Sequence, residues 1–279
     1  MSLLSSILLG LIQGLAEFLP ISSSGHLAIA EHFLGQAGIP ATPDFFDVLL
    51  HLGTLVAVFV AYWQDIREMV VELIDGIRDL AHGTTPNPIP PARRLILLII
   101  VATLPLFAVL PVKDLVEALS GNIYFVAGAL IVTGFLLFAS DRVKKGRKTE
   151  RSARLLDVLL VGIAQAIATC PGISRSGTTI TAGCFVGFDR KFAVRFSFLM
   201  SIPAILGANI LTLKDAITEN TIIVSEIPVY LVGVAVAAVV GYACIRLLKM
   251  IADKGKFGWF AYYCWTAGLI VLALTLVLG

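Results

Sequence analysis

Along the chain, apolar residues gather into runs long enough to cross a bilayer as helix, which takes roughly 17 to 25 residues. Six such runs predict transmembrane helices near 45–63, 93–112, 122–140, 192–213, 227–248 and 260–278. Two further apolar stretches, 3–34 and 155–188, are interrupted at their middles by proline, glycine and serine: Leu19-Pro20-Ile21-Ser22-Ser23-Ser24-Gly25 and Pro171-Gly172-Ile173-Ser174-Arg175-Ser176-Gly177. Each half is too short to span. Broken backbone cannot face lipid, so each stretch predicts a re-entrant hairpin with its tip buried in protein. The pattern therefore predicts an all-α polytopic membrane protein of six transmembrane helices plus two re-entrant helical hairpins.

Composition agrees with that solvent. The 279 residues are 58% hydrophobic and 14% charged, against about 25% charged in soluble domains, which excludes a water-soluble enzyme, a nucleic-acid binder and a disordered scaffold. The net charge of +2 says little, whereas the placement of charge orients the chain. The loop 141–154 carries Arg142, Lys144, Lys145, Arg147, Lys148, Arg151 and Arg154 and is assigned to the cytoplasm. Counting crossings from it brings 64–94, 187–195 and the end of the fifth span to the same side. That side then holds 18 of the 21 basic residues, the other holds Lys113 and Lys214, and Arg175 sits at a hairpin tip. Both termini are expected outside. No lysine or arginine precedes Arg67, so a secretory signal is not expected at the start. The four cysteines fall in apolar stretches without a C-x-x-C spacing and read as core packing.

The two interrupted stretches are copies of each other. At a constant offset of 152, residues 10–26 match 162–178 at seven of 17 positions: Gly10/Gly162, Gln13/Gln165, Ala16/Ala168, Ile21/Ile173, Ser22/Ser174, Ser24/Ser176 and Gly25/Gly177. Composition alone gives roughly one or two. The chain divides into a first repeat at 1–140, a basic cytoplasmic linker at 141–154 and a second repeat at 155–279, each repeat a hairpin followed by three spans. Three crossings invert the second copy, so the hairpins enter from opposite faces and their tips meet near the midplane.

Chemistry enters where the copies differ: in the alignment Glu17 pairs with Thr169, Ser23 with Arg175 and His26 with Thr178. Such groups are expensive at membrane depth, so a functional role is the default. Each tip is also a helix start, with Ser22 to Ser24 and Ser174 to Ser176 as capping residues. Two converging helix N-termini bind anions, phosphate above all, and Arg175 adds a bidentate clamp. Thr178 is a weaker candidate for the same site. Glu17 fits once a divalent cation is considered, because magnesium is held by one or two carboxylates plus phosphate oxygens. Gln13, one turn earlier on the same face, supplies a neutral oxygen, and calcium is the alternative ion. The reading is a buried diphosphate site beside a lipid phase. Ser23 attacks phosphorus, with His26 as base or proton shuttle and Arg175 and the metal stabilising charge; His26 as direct nucleophile is the competing assignment. Plainer alternatives are a Glu17–Arg175 pair that only joins the hairpins and serines that only bond neighbouring helices. His51, with Gly53 and Thr54, either lines the pocket or packs helices.

At Gln13-Gly14-Leu15-Ala16-Glu17-Phe18-Leu19-Pro20-Ile21-Ser22-Ser23-Ser24-Gly25-His26 and at Pro171–Gly177 the chain resembles the bacterial undecaprenyl-diphosphate phosphatases, also called bacitracin resistance proteins. The resemblance covers essentially the whole chain. It implies hydrolysis of undecaprenyl diphosphate to the monophosphate and inorganic phosphate, which recycles the lipid carrier for peptidoglycan. It also implies a divalent metal, a plasma-membrane location and a pocket opening to the outer face. By matching motif positions Glu17, Ser23, His26 and Arg175 are catalytic, with Ser22, Ser24, Ser174 and Ser176 as phosphate ligands. Many members have a second glutamate where this chain has Gln13. Expected partners are the lipid diphosphate and membrane lipid, with a homodimer allowed; topology explains the basic loop, so no nucleic acid is required. The alternative function is a polyprenyl-phosphate flippase or transporter, since inverted repeats with broken helices also build carriers.

Overall fold

The computed structural model describes residues 1–36, 44–84, 86–218, 223–254 and 256–278, and among them the chain is helical nearly throughout, with no strand beyond a single Lys148–Phe188 bridge. In order, the helices are α1 (Leu3–Phe18), α2 (Ser23–Gln36), α3 (Asp44–Ala61), α4 (Trp63–Ala81), α5 (Pro91–Thr103), α6 (Lys113–Ala118), α7 (Ile123–Ser140), α8 (Leu155–Ile167), α9 (Arg175–Phe185), α10 (Arg190–Thr218), α11 (Ile227–Lys254) and α12 (Gly258–Leu278). Five helical segments are long and apolar enough to cross a membrane, and a sixth counts if α3 and α4 are one bent span. Their outer surfaces carry exposed leucines, valines and aromatics, such as Leu4, Phe135, Ile210 and Val239. This is a polytopic membrane protein.

Two expected spans differ from plain helices. The run at 93–112 is α-helical only to Thr103, after which Pro105 and Pro111 turn Leu104–Ala108 and Leu110–Val112 into 3-10 helix. Proline lacks the amide N–H that an α-helix needs. The run at 45–63 ends at Ala61, where the chain bends 84° into α4. Along its 19 residues α4 combines the charged Asp65, Arg67, Asp75 and Arg78 with exposed Val70, Ile74, Ile77 and Leu80. That amphipathic pattern suits a helix lying in the membrane interface. Arg93 of α5 binds it through Glu72 at 3.1 Å and Asp79 at 2.7 Å.

The basic stretches are also neighbours in space. Arg94 donates to the Ala153 carbonyl at 2.9 Å, Lys148 pairs with Asp157 at 2.8 Å and Arg195 pairs with both Asp65 and Glu150. Lys249 donates to the Ala61 carbonyl at 3.0 Å and sits over the Tyr62 ring. Asp141 caps α12 at this face, accepting from the Phe257 and Gly258 amides at 3.0 and 2.7 Å. Arg190 and Asp215, at opposite ends of α10, are 25 residues apart, roughly 37 Å at helical rise, and at the far end Asp215 pairs with Lys113 at 3.2 Å.

Small residues set the helix spacing. α1 lies along α11, α8 along α5, α7 along α12, and α3 against α10. A Cβ on Gly10 would fall 2.5 Å from the Gly233 carbonyl oxygen of α11, and one on Gly162 would fall 2.3 Å from the Ala102 carbonyl oxygen of α5. The obstruction is backbone, which cannot step aside as a flexible side chain does. Gly162→Ala is therefore expected to destabilise the protein by about 1–3 kcal/mol, as overpacking does. Thermal unfolding in detergent checks this, and an unshifted midpoint would contradict the close approach of α5 and α8.

Candidate active site

Both interrupted stretches fold as helix, break, helix. In the first, α1 stops at Phe18 and the chain continues extended through Leu19. Ser22 then takes a φ of 73°, a left-handed conformation uncommon outside glycine. Its hydroxyl accepts from the Gly25 amide at 3.2 Å and so caps α2. In the second, Gly172 takes the left-handed turn at φ 87°, and Ser174 caps α9 by accepting from the Gly177 amide at 3.1 Å. The hydroxyls of Ser22 and Ser24 lie 3.4 Å apart and those of Ser174 and Ser176 lie 3.3 Å apart. The shared serine frame thus builds one helix cap twice, on turns that place their left-handed residue differently.

Protein groups satisfy the backbone freed at each break, as burial away from water demands. Thr133 of α7 donates to the Gly172 carbonyl at 3.2 Å and accepts from the Ser174 amide at 3.0 Å. At the other tip the Pro20 carbonyl accepts from the Cys264 thiol at 3.8 Å and the Ser22 carbonyl accepts from the His26 ring at 2.7 Å. All four cysteines are free, and three are buried. The tips themselves touch: a Cβ on Gly25 would fall 2.9 Å from the Gly172 Cα.

Glu17 is the hub of this contact. Arg175 reaches across from α9 to its carboxylate, Ser23 donates to it at 2.7 Å and the Gln13 amide donates to it at 3.2 Å. His51 of α3 brings Nε2 to within 3.9 Å of the same carboxylate. The His51 Nδ1 faces the Asp47 carbonyl at 2.8 Å and so carries the hydrogen. The Glu17 side chain is 5% exposed and Arg175 is 21% exposed, so the acid is sequestered while the guanidinium still faces open space. That space is a cavity of about 1080 Å³ between the tips, the 3-10 segment with α6, and α10, as large as a typical ligand site. At its other end stand Lys113, Glu117, Ser120 and Asp215.

Glu17, Ser22, Ser23, Ser24, Ser174 and Arg175 all line the cavity. Gln13 is wholly buried behind Glu17, with its Oε1 lacking a hydrogen-bond partner among the described residues. Ser176 and Thr178 are buried within α9 and do not form the wall. His26 lies away from it as well. Its Nδ1–H donates to the Ser22 carbonyl, its Nε2 meets the Tyr263 hydroxyl at 2.8 Å, and the two rings stack at 5.6 Å. The imidazole in the wall belongs instead to His51, while Gly53 packs against Val234 and Thr54 bonds its own helix. Gln165 also lines the wall; its match to Gln13 across the repeat was the signal for it.

Two helix N-termini, a guanidinium and a serine hydroxyl bonded to a carboxylate are the groups that binding and transfer of an anionic phosphoryl group call for. Comparison with known proteins points the same way. Residues 6–270 match the family model described as bacitracin resistance protein BacA. The chain is 39% identical over 285 residues to an undecaprenyl-diphosphatase of Methanosphaera stadtmanae, covering all of both chains. It is 40% identical to that of Alkaliphilus metalliredigens and 41% identical to that of Syntrophotalea carbinolica, in each case over 99% of this chain and all of the relative.

Proposed function

The chain belongs to the bacitracin resistance protein BacA family, and from that membership and the geometry of the two tips we infer that it is an undecaprenyl-diphosphatase embedded in the cell membrane. Its substrate is undecaprenyl diphosphate, and its products are the lipid monophosphate that re-enters carrier use and inorganic phosphate. The observation that carries the reading is Ser23 bonded to Glu17 at 2.7 Å, with Arg175 on the same carboxylate, inside a cavity walled by both tips.

On this reading the terminal phosphoryl group sits between Ser23 and Arg175, with the capped N-termini of α2 and α9 aimed at its oxygens. The Ser23 Oγ attacks phosphorus while its proton passes to Glu17, the bond to the bridging oxygen breaks, and the lipid monophosphate leaves. Water then attacks the phosphoserine phosphorus and the bond to Ser23 Oγ breaks; Oγ takes back the proton held by Glu17, and inorganic phosphate departs with the hydrogens of the water. Arg175 exchanges part of its contact with Glu17 for the charge gathering on the transferred oxygens, where preorganised donors contribute most. His26 holds the first tip to α12, because its Nδ1–H is engaged by the Ser22 carbonyl and its Nε2 by the Tyr263 hydroxyl.

The donor set suits a divalent cation shared with substrate. No group of three or more His, Cys, Asp or Glu among the described residues is placed to hold a metal alone, whereas magnesium commonly takes one or two protein oxygens and completes its shell from phosphate. Glu17 and the unpartnered Oε1 of Gln13 are the residues that would hold magnesium, or calcium in its place. When bound, the ion neutralises diphosphate charge.

The inverted repeat is supported by reciprocal packing. α1 on α11 matches α8 on α5, while α7 with α12 and α3 with α10 pair each helix with its own counterpart. The cavity runs from the tips toward Lys113 and Asp215, at the end of α10 opposite the basic face, which supports an opening on the outer side of the membrane. Purified protein in detergent, given undecaprenyl diphosphate and magnesium, is expected to release one phosphate per lipid. An absence of release would overturn the assignment.

A further inference from the structure

Gln165 of α8 is 1% exposed and lines the cavity, yet neither its amide nitrogen nor its amide oxygen has a hydrogen-bond partner among the described residues. Buried amides are almost always satisfied, and the repeat shows what this one lacks. Gln13, its counterpart in the first copy, donates to Glu17 four residues on. At the position matching Glu17 the second copy has Thr169, which turns its hydroxyl back to the Ala166 carbonyl at 2.7 Å. The second copy has therefore kept the glutamine and replaced the carboxylate that would occupy it. On α10, facing the same cavity, the Asn209 Nδ2 is likewise without a partner. These are neutral donors in the wall that also carries Arg175 and the serines of both tips.

We propose that Gln165 is a substrate-binding residue whose amide N–H donates to a phosphate oxygen of the lipid diphosphate in the cavity. The proposal rests on the diphosphatase reading and adds a ligand from the opposite hairpin arm to Arg175. A neutral amide suits this place: it holds an oxyanion without competing with Arg175 for Glu17. Gln13 secures the acid, and Gln165 secures the substrate that the acid serves.

The test compares wild type, Gln165→Leu and Gln165→Glu by steady-state phosphate release and by thermal unfolding with and without inorganic pyrophosphate. Leucine keeps the volume and removes both polar atoms; glutamate keeps the shape and repels phosphate. Both variants are expected to raise KM at least tenfold, to lower kcat less, and to lose the pyrophosphate-induced rise in unfolding temperature. The leucine variant without ligand should be at least as stable as wild type. If instead it unfolds at lower temperature while KM and the pyrophosphate response are unchanged, Gln165 is structural and the proposal fails. Should the leucine variant not fold, a glutamate variant with wild-type KM overturns it equally. An inactive wild type would defeat the diphosphatase reading itself. Loss of the pyrophosphate response on substitution would still support Gln165 as an anion ligand.

Discussion

Arg175→Lys is expected to lower kcat for phosphate release by roughly 10²- to 10³-fold, the range seen when one transition-state donor is lost. Arg175→Ala should be at least as damaging. A lysine ammonium keeps the charge but loses the planar fork that holds two phosphoryl oxygens at once. The alanine variant carries a second penalty, because Glu17 is then left buried with its cation removed. Breaking a buried pair from one side costs about 3–5 kcal/mol. The lysine variant separates these effects: it should unfold near the wild-type temperature and still turn over slowly. Turnover within a few-fold of wild type would remove Arg175 from the chemistry and leave it as a tie between the tips.

Ser23→Ala should be the most severe single change, on the order of 10⁴-fold or more in kcat, as expected when a covalent nucleophile is removed. The hydroxyl already donates to Glu17 at 2.7 Å, so the proton's destination is in place before substrate arrives. Acid-quenched enzyme should carry phosphate on Ser23. By contrast His26→Gln should cost less than about 10²-fold, the scale of a misplaced tip, because its ring reaches Tyr263 and not the cavity. Phosphate recovered on His26, with Ser23→Ala still active, would reverse the two roles.

How much of this was written in the sequence depends on the scale of the feature. Hydrophobic runs locate helices by solvent, so α7, α10, α11 and α12 fall where the pattern places them. The same pattern is blind to backbone hydrogen bonds, so the 3-10 segment after Thr103 and the 84° bend after Ala61 escaped it. The candidate site was legible where two copies could be subtracted: Glu17 and Arg175, which the fold brings together, stand out because Thr169 and Ser23 replace them in the other half. Direction was not legible. His26 and His51 are both imidazoles near apolar helices, and only the geometry of α12 turns one away while α3 turns the other toward Glu17.

The partners of the broken backbone also bear on how the chemistry works. Thr133, Cys264 and His26 hold the tip carbonyls and amides by bonds that need neither solvent nor substrate. The two tips are therefore held in place in the resting protein, and on the proposed mechanism the main contact left to rearrange as charge develops is that of Arg175 with Glu17. On that mechanism a threonine on α7 and a thiol on α12, neither of them in the cavity wall, bear on the barrier inside it by fixing where the tips stand.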